Sequence, residues 1–276
     1  MEIRHATHPD QIAGFGTEDL RRHYLVEDLF PSGTVRTVYT HADRIVVGGV
    51  RPAAGAPVRL ETAPPLRSSY FCERRELGVV NVGTAGAVEV DGTTYPLDTQ
   101  EVLYVGRGTR DVVFSTGDRA GAAFYLVSTP AHATHPTAKA TMADAAPNKL
   151  GGIEGSNSRT IYRYIHADGI KSCQLVLGIT VLDPGSMWNT MPCHLHDRRT
   201  EVYLYFGLAP EQRVIHLMGR PDETRNIVMT GEQAVISPPW SVHTGFGTQN
   251  YSFVWAMGGE NQAYDDMDPV AITDLR

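Results

Sequence analysis

Short apolar runs fill the chain after Thr37, and they constrain its fold more than any other feature. The runs are rich in Val, Ile, Tyr and Phe and are separated by Gly, Pro, Asp or Asn, which is typical of β-strands joined by turns. Asp91-Gly92 predicts a hairpin turn between two of them. The 27 Gly and 17 Pro residues are more than a helical bundle tolerates. We therefore expect an all-β fold. Strands are predicted at residues 44–50, 77–82, 87–90, 101–105, 122–127, 174–182, 201–206, 213–218, 233–236 and 251–255.

The segment before the strands has the one clear helical pattern. Residues 10–25 place Leu20, Tyr24 and Leu25 on one helical face, with Thr17 as the expected N-cap, so a short helical arm is predicted. Residues 129–158 lack a sustained period and are expected to form a connector. We predict an arm over residues 1–40, a first unit over 41–145 and a second over 146–276.

The two predicted units share an internal repeat. Residues 73–83 resemble residues 197–207 when one residue is inserted, an alignment that places Glu76 opposite Glu201. Residues 100–105 likewise resemble residues 233–238. Two copies of one β-unit are the simplest explanation.

Charge and cysteine content exclude several classes of protein. The chain has 24 Lys and Arg against 31 Asp and Glu, a net charge of -7, which argues against binding to nucleic acid or to an anionic membrane. It has no apolar run of the roughly 18 residues that a membrane helix needs. The three cysteines are far apart and are expected to be reduced, so a cytoplasmic protein is predicted.

A metal site is the most specific functional prediction. His194 and His196 are two residues apart on an extended segment, so both imidazoles should lie on one face. Glu201 opens the next strand, and His243 follows a Pro-rich strand entry. Three imidazoles and one carboxylate suit zinc, although manganese, iron, nickel or cobalt would also accept them.

The first copy of the repeat lacks these ligands. Tyr70 and Cys72 occupy the expected histidine positions, Arg110 replaces His243, and Glu76 alone remains as the counterpart of Glu201. We therefore expect one metal ion per chain, in the second unit. His132, His135 and His216 are read as surface or core residues, and the chain has no nucleotide-binding or acyl-enzyme motif.

Several long strings resemble one known family. Two β-units with this ligand spacing look like a two-domain cupin, the double-stranded β-helix related to jelly rolls. The strings at 191–199, 234–243, 259–262 and 265–268 resemble the 5-keto-4-deoxyuronate isomerase family, and the resemblance extends over essentially the whole chain.

This resemblance implies a function and a ligand set. It implies a zinc-containing homohexamer of pectin breakdown that converts 5-dehydro-4-deoxy-D-glucuronate to 3-deoxy-D-glycero-2,5-hexodiulosonate. The family's metal ligands fall on His194, His196, Glu201 and His243. A related sugar-acid isomerase of the 5-deoxyglucuronate type, a metal-dependent cupin dioxygenase and a non-catalytic sugar-binding cupin stay open as alternatives.

The remaining catalytic roles rest on chemistry alone. Ketol isomerisation moves a proton between adjacent carbons, and Glu260, followed by Tyr264, is our candidate base. A guanidinium can bind the substrate carboxylate through two hydrogen bonds, and Arg163, on a strand predicted at residues 161–165, is the candidate. Arg198 and Arg199 compete with it, but their repetition as Arg74-Arg75 in the metal-free copy favours a structural role. Trp188, Met191 and Trp240 are expected to flank the pocket or pack in the core. Whether the metal is catalytic or structural stays open.

Overall fold

The computed structural model describes residues 1–117, 121–260 and 263–276. One α-helix, α1, spans Thr17–Tyr24 of these residues, and 3-10 helices span Pro9–Gly14, Pro64–Leu66, Phe71–Glu73, Ile153–Gly155 and Ile272–Asp274. The strands of the arm and first unit are β1 Glu2–Arg4, β2 Leu25–Val26, β3 Val35–Thr40, β4 Val46–Val50, β5 Val58–Arg59, β6 Arg75–Asn81, β7 Gly86–Val90, β8 Thr93–Leu97, β9 Val102–Val105, β10 Val112–Thr116 and β11 Phe124–Pro130.

The remaining strands belong to the connector and the second unit. They are β12 Ala138–Ala140, β13 Asn148–Leu150, β14 Arg159–Ile165, β15 Val176–Leu182, β16 Trp188–Asn189, β17 His194–Leu195, β18 Arg199–Phe206, β19 Val214–Arg220, β20 Glu223–Met229, β21 Gln233–Ser237, β22 Val242–Gly247, β23 Ser252–Gly259 and β24 Asp268–Pro269. Among the described residues no helix has both the length and the hydrophobicity that a membrane span needs.

The strands form two equivalent units, as the repeat predicts. The first unit pairs a sheet in the order β1-β3-β4-β11-β6-β9-β12 with a sheet β5-β10-β7-β8. The second pairs β13-β14-β15-β23-β18-β21-β2 with β16-β22-β19-β20, and β17 pairs separately with β24. The all-β prediction with two cupin units is confirmed. The hairpin at Asp91-Gly92 is confirmed as well, with positive φ at both residues.

The arm and the connector each give one edge strand to each unit. In the arm, β1 pairs with β3 of the first sheet and β2 pairs with β21 of the second. In the connector, β12 pairs with β9 and β13 pairs with β14. We propose that the two units divide near residues 145 and 146, between these two connector strands. The N-cap of α1 is Gly16, so the expectation for Thr17 is wrong. The Asp19 carboxylate accepts the Gly16 N–H, whereas glycine itself offers no side chain to cap the first turn.

Alternation along the strands builds three apolar layers. On β18, Val202 and Leu204 face the first unit, whereas Tyr203 and Tyr205 face the interior of the second barrel. The large sheets of the two units pack face to face through side chains of the same kind as Val202 and Leu204. Each barrel is then filled by its own side chains.

The structure corrects the alignment at Glu76. Leu77 pairs with Val105 and faces the first barrel, as Glu201 pairs with Ser237 and faces the second. Leu77 is therefore the counterpart of Glu201, and Glu76 points to the opposite face, between the units. A single inserted residue reverses every side chain of a strand, so the inferred insertion was wrong.

Candidate metal centre

Four predicted ligands converge at the mouth of the second barrel. His194 lies on β17 and His196 directly after it, Glu201 lies on β18, and His243 on β22 reaches them from the facing sheet. One potential ligand atom from each residue lies within 4.8 Å of the other three. The Nε2 atom of His194 is 3.1 Å from Nε2 of both other histidines. The Glu201 carboxylate is 2.8 Å from Nε2 of His196 and of His243.

Hydrogen bonds from Nδ1 of His196 and His243, on the side of each ring away from the cluster, orient the Nε2 atoms toward the other ligands. The Nδ1–H of His196 donates to the Asp266 carbonyl at 2.6 Å, and that of His243 donates to the Ser241 carbonyl at 3.2 Å. With the proton on Nδ1, the Nε2 lone pairs point at one another and at the carboxylate. Such a set of acceptors repels unless a cation lies among them. The residues therefore fit a divalent metal ion with nitrogen and oxygen ligands.

The electrostatics of the cluster favour the ligating forms of its residues. Burial alone would raise the pKa of Glu201, but His243 and His196, when protonated in the absence of a metal ion, outweigh it by charge and hydrogen bonding and hold that pKa well below its usual range. Burial, reinforced by the neighbouring His243, lowers the pKa of His194 to about 2. A carboxylate and a neutral imidazole are the forms that bind metal.

A C-terminal segment, residues 264–270, covers this centre and is called the strap. The Asp266 carbonyl accepts a hydrogen bond from Nδ1–H of His196, and the Asp266 carboxylate accepts hydrogen bonds from Nε and Nη2 of Arg198. The strap also pairs with the histidine segment, since Asp268–Pro269 forms β24 against β17. Arg199, fully buried, donates to the carbonyls of Tyr264 and Asp266 at 3.3 and 3.2 Å. Arg198 and Arg199 thus hold the strap, which agrees with a structural role.

A cavity of about 260 Å³ lies beside the ligands, inside the second barrel. Its walls are mostly apolar and include Trp255, Met257 and Phe253. Arg159 and Tyr264 are its polar groups apart from the ligands and the hydroxyls of Thr180, Thr190 and Tyr203. Burial lowers the pKa of Arg159 from its ordinary value. The cavity therefore combines a metal centre with one partly buried cation.

The other predicted site residues lie in different places. Tyr264 lines the cavity, and its ring packs against Trp255 at a tilt of 48°, with ring centroids 5.4 Å apart. Arg163 does not line it; its guanidinium lies 5.3 Å from the Tyr264 ring. Glu260 is exposed, outside the lining, and its N–H donates to the Arg198 carbonyl. Met191 lines the cavity, whereas Trp188 packs against Phe246 and Trp240 against Tyr24.

Sequence reasoning missed Arg159. The predicted strand began at Ile161, but β14 begins at Arg159. Because strand side chains alternate, Arg159, Ile161 and Arg163 share one face, and the first two reach the cavity. Arg159 lies two residues before Ile161, and this spacing in the sequence could have placed both side chains on one face of the strand.

Comparison with known proteins assigns this chain to a family. Residues 32–272 match the KduI/IolB family. The chain belongs to this family. A KduI/IolB relative from Caldicellulosiruptor bescii, 4-deoxy-L-threo-5-hexosulose-uronate ketol-isomerase, is 50% identical over 277 residues and 100% of both chains. The enzyme of the same name from Kineococcus radiotolerans is 53% identical over 280 residues, again covering 100% of both chains.

A solved structure gives the fold independently. An IolB-like protein from Salmonella typhimurium superposes with a TM-score of 0.67 at 14% identity, covering 80% of this chain and 85% of that one. At 14% identity this similarity shows the fold alone.

Proposed function

We infer that this chain is a 4-deoxy-L-threo-5-hexosulose-uronate ketol-isomerase, which converts 5-dehydro-4-deoxy-D-glucuronate to 3-deoxy-D-glycero-2,5-hexodiulosonate. The observation that carries this conclusion is the convergence of His194, His196, Glu201 and His243 beside a cavity with a guanidinium. The full-length relatives at about 50% identity bear the same enzyme name.

The metal is proposed to be one zinc ion per subunit, held by these four residues. Three neutral imidazoles and a carboxylate suit a borderline ion. When bound, such an ion supplies a Lewis acid that stabilises negative charge developing on substrate oxygen. The chain itself contributes the fixed tautomers of His196 and His243, so the ligand lone pairs are aligned in advance.

Arg159 is proposed to bind the substrate carboxylate. Its charged group lines the cavity, and one of its N–H groups donates to the Asn157 carbonyl at 2.8 Å, which fixes the direction of the side chain. A guanidinium can offer a carboxylate two parallel hydrogen bonds. Arg163, our first candidate, is proposed to support Tyr264 instead, because it lies over that ring.

Tyr264 is proposed to donate a hydrogen bond to a substrate oxygen on which negative charge develops during the isomerisation. Burial and the nearby Glu201 raise its pKa, so the phenol stays protonated at neutral pH and donates a hydrogen bond. Glu260 gains no support as the base, because it is exposed and lies outside the cavity wall. Trp255 packs on Tyr264 and keeps its ring at the wall.

The cellular setting is also a proposal. The substrate of the named relatives is a hexosulose-uronate, which fits a place in pectin and uronate degradation. The three free cysteines, two of them buried, support a cytoplasmic enzyme. Exposed Leu150, Ile153 and Met187 in the second unit are candidate contacts for the homohexamer that the resemblance implies.

The test is turnover of enzymatically generated 4-deoxy-5-ketouronate, followed by NMR, with metal content measured on each sample. The wild type should form the 2,5-diketo acid. His196→Ala should stay folded but lose metal and activity. Arg159→Gln should keep its metal and raise KM at least 10-fold, because a charge-assisted hydrogen bond contributes about 1.5–3 kcal/mol.

Two outcomes would contradict the proposal. A metal-loaded wild type that leaves this substrate unchanged but isomerises 5-deoxyglucuronate would assign the chain to the related isomerase. An Arg159→Gln enzyme with wild-type KM would remove Arg159 from substrate binding. Arg213→Gln, which changes an arginine of the second unit that does not line the cavity, is the matched control.

A further inference from the structure

A second cavity, of about 170 Å³, lies on the first unit and has a positively charged lining, although the chain as a whole is negatively charged. Arg44, Arg74 and Arg75 line it together with Tyr39 and Ser68, and the rest of its wall is apolar. None of the described lining residues is acidic. Three guanidinium groups therefore share one small cavity in a protein whose net charge is -7.

Arg75 is buried without a counter-charge. Its side chain is 6% exposed, and its guanidinium donates to the Ser128 hydroxyl, the Ser128 carbonyl and the Arg44 carbonyl, all of them neutral. No carboxylate in the described part of the chain forms an ion pair with it. Buried charges in proteins are normally paired, because desolvation of a lone charge is costly. Burial lowers the pKa of Arg75 to about 10, which shows that cost.

Of the two acidic residues next to these arginines in the sequence, Glu76 is engaged elsewhere and Glu73 approaches only Arg74. The Glu76 carboxylate lies on the opposite face of β6 and accepts five hydrogen bonds from other groups. Glu73 approaches Arg74 at 3.7 Å, and it also accepts the N–H of Ser69. Arg44 and Arg74 are exposed, so both can turn toward a ligand held by Arg75.

We propose that this cavity binds a small oxyanion, a carboxylate or a phosphate, at a site separate from the metal centre. Guanidinium groups match the planar geometry of both anions. The volume is below the roughly 300 Å³ of sites for drug-sized ligands, which suits an inorganic anion or a short organic acid. The site shares no lining residue with the cavity beside the metal ligands.

The experiment is isothermal titration calorimetry at low ionic strength with two probes, inorganic phosphate and D-glucuronate. We expect saturable binding of at least one probe, with one site per chain, and the tighter probe identifies the anion class. Arg44→Gln/Arg74→Gln should weaken this binding at least 10-fold. Arg59→Gln, an exposed arginine of the same unit, is the matched control and should bind as the wild type does.

Two further measurements distinguish this site from the metal centre and from a contact between subunits. His196→Ala, which lacks a metal ligand, should still bind the probe, so loss of binding there would place the anion on the metal and overturn the proposal. No saturable binding of either probe, or equal binding by the double variant, would overturn it too. Dissociation of the oligomer by the double variant in sedimentation would mean that the cavity contacts another copy of the chain, which also contradicts a small-ligand site.

Discussion

His216 is a buried residue whose protonation couples folding to pH. It is fully buried inside the second barrel, its Nδ1 lies 2.9 Å from the Tyr205 hydroxyl, and its Nε2 has no hydrogen-bond partner among the described residues. Burial lowers the pKa of His216 to about 3, whereas an unfolded histidine has a pKa near 6.5. Between these values the unfolded chain binds a proton that the folded chain does not. The free energy of unfolding should therefore fall as the pH falls through this window.

His216→Gln tests this linkage. Glutamine cannot take up the proton, so the slope of unfolding free energy against pH between 6.5 and 4 should decrease by up to about 1.4 kcal/mol per pH unit. Urea unfolding at several pH values measures it, with chelator present to keep metal binding out of the comparison. His132→Gln, at an exposed position, is the control for loss of one imidazole. If the unfolding free energy of His216→Gln varies with pH as steeply as that of the wild type, His216 does not couple folding to pH.

How much of the site can be predicted from the sequence depends on strand register, because a shift of one residue moves a side chain to the other face of its sheet. His194, His196, Glu201 and His243 could be predicted as a set because a strand repeats every two residues and the ligand types are restricted. Glu76 and Arg159 could not be placed. One inserted residue turns Glu76 to the other face of its strand, and a strand start predicted two residues late leaves Arg159 outside the strand. Their surroundings are set by strand pairing, of Glu76 with Thr129 and of Arg159 with Leu150 and Leu182, which a local sequence pattern does not show.

At the level of elements, the strap is the part of the site most dependent on tertiary contacts. Its strand β24 and the partner β17 have two residues each, too few to show any periodicity in sequence. The ion pair of Arg198 with Asp266 holds the strap against the histidine segment. The Asp266 carbonyl in turn orients His196. The geometry of a ligand from one segment is thus set by the backbone of another.

Arg198→Gln should weaken metal binding without unfolding the chain. Without the ion pair to Arg198, the Asp266 carbonyl no longer holds the His196 ring in a fixed orientation. Loss of a group that orients a metal ligand lowers the affinity for the metal by about 10-fold or more. Zinc affinity measured by chelator competition checks the prediction. Arg220→Gln is a matched control, since its side chain is 44% exposed, like that of Arg198, and pairs with acidic residues away from the strap. Equal affinities for both variants would exclude an orienting role for the strap.

On the scale of the whole molecule, Glu76 joins the two units. Its buried carboxylate accepts hydrogen bonds from the hydroxyls of Tyr104 and Thr129 in the first unit. It also accepts the backbone N–H groups of residues 173–175, at the entry to β15 of the second unit. Thr200 adds a second polar link by donating to Asp43 of the first unit at 2.6 Å. The first unit therefore supports the strand framework of the second, which carries the candidate metal centre.

Glu76→Gln should lower the free energy of unfolding by several kcal/mol, because each hydrogen bond to a charged group contributes about 1.5–3 kcal/mol and the amide cannot accept from all five donors. Urea unfolding measures the loss. Glu89→Gln, on the exposed face of β7, should change stability little. A Glu76→Gln variant as stable as Glu89→Gln would show that packing alone joins the units.

The edge strands of the arm have a consequence for how the chain folds during synthesis. Leu25–Val26 leaves the ribosome early, but its partner on β21 is made only near the end of the chain. The pairing of β2 must therefore wait until β21 is produced, whereas β1 can already pair with β3 of the first unit. Pairings of such high sequence separation form late and slow the folding of a domain. Docking of β2 thus joins an early segment of this sequence to the second unit only after most of that unit has been made.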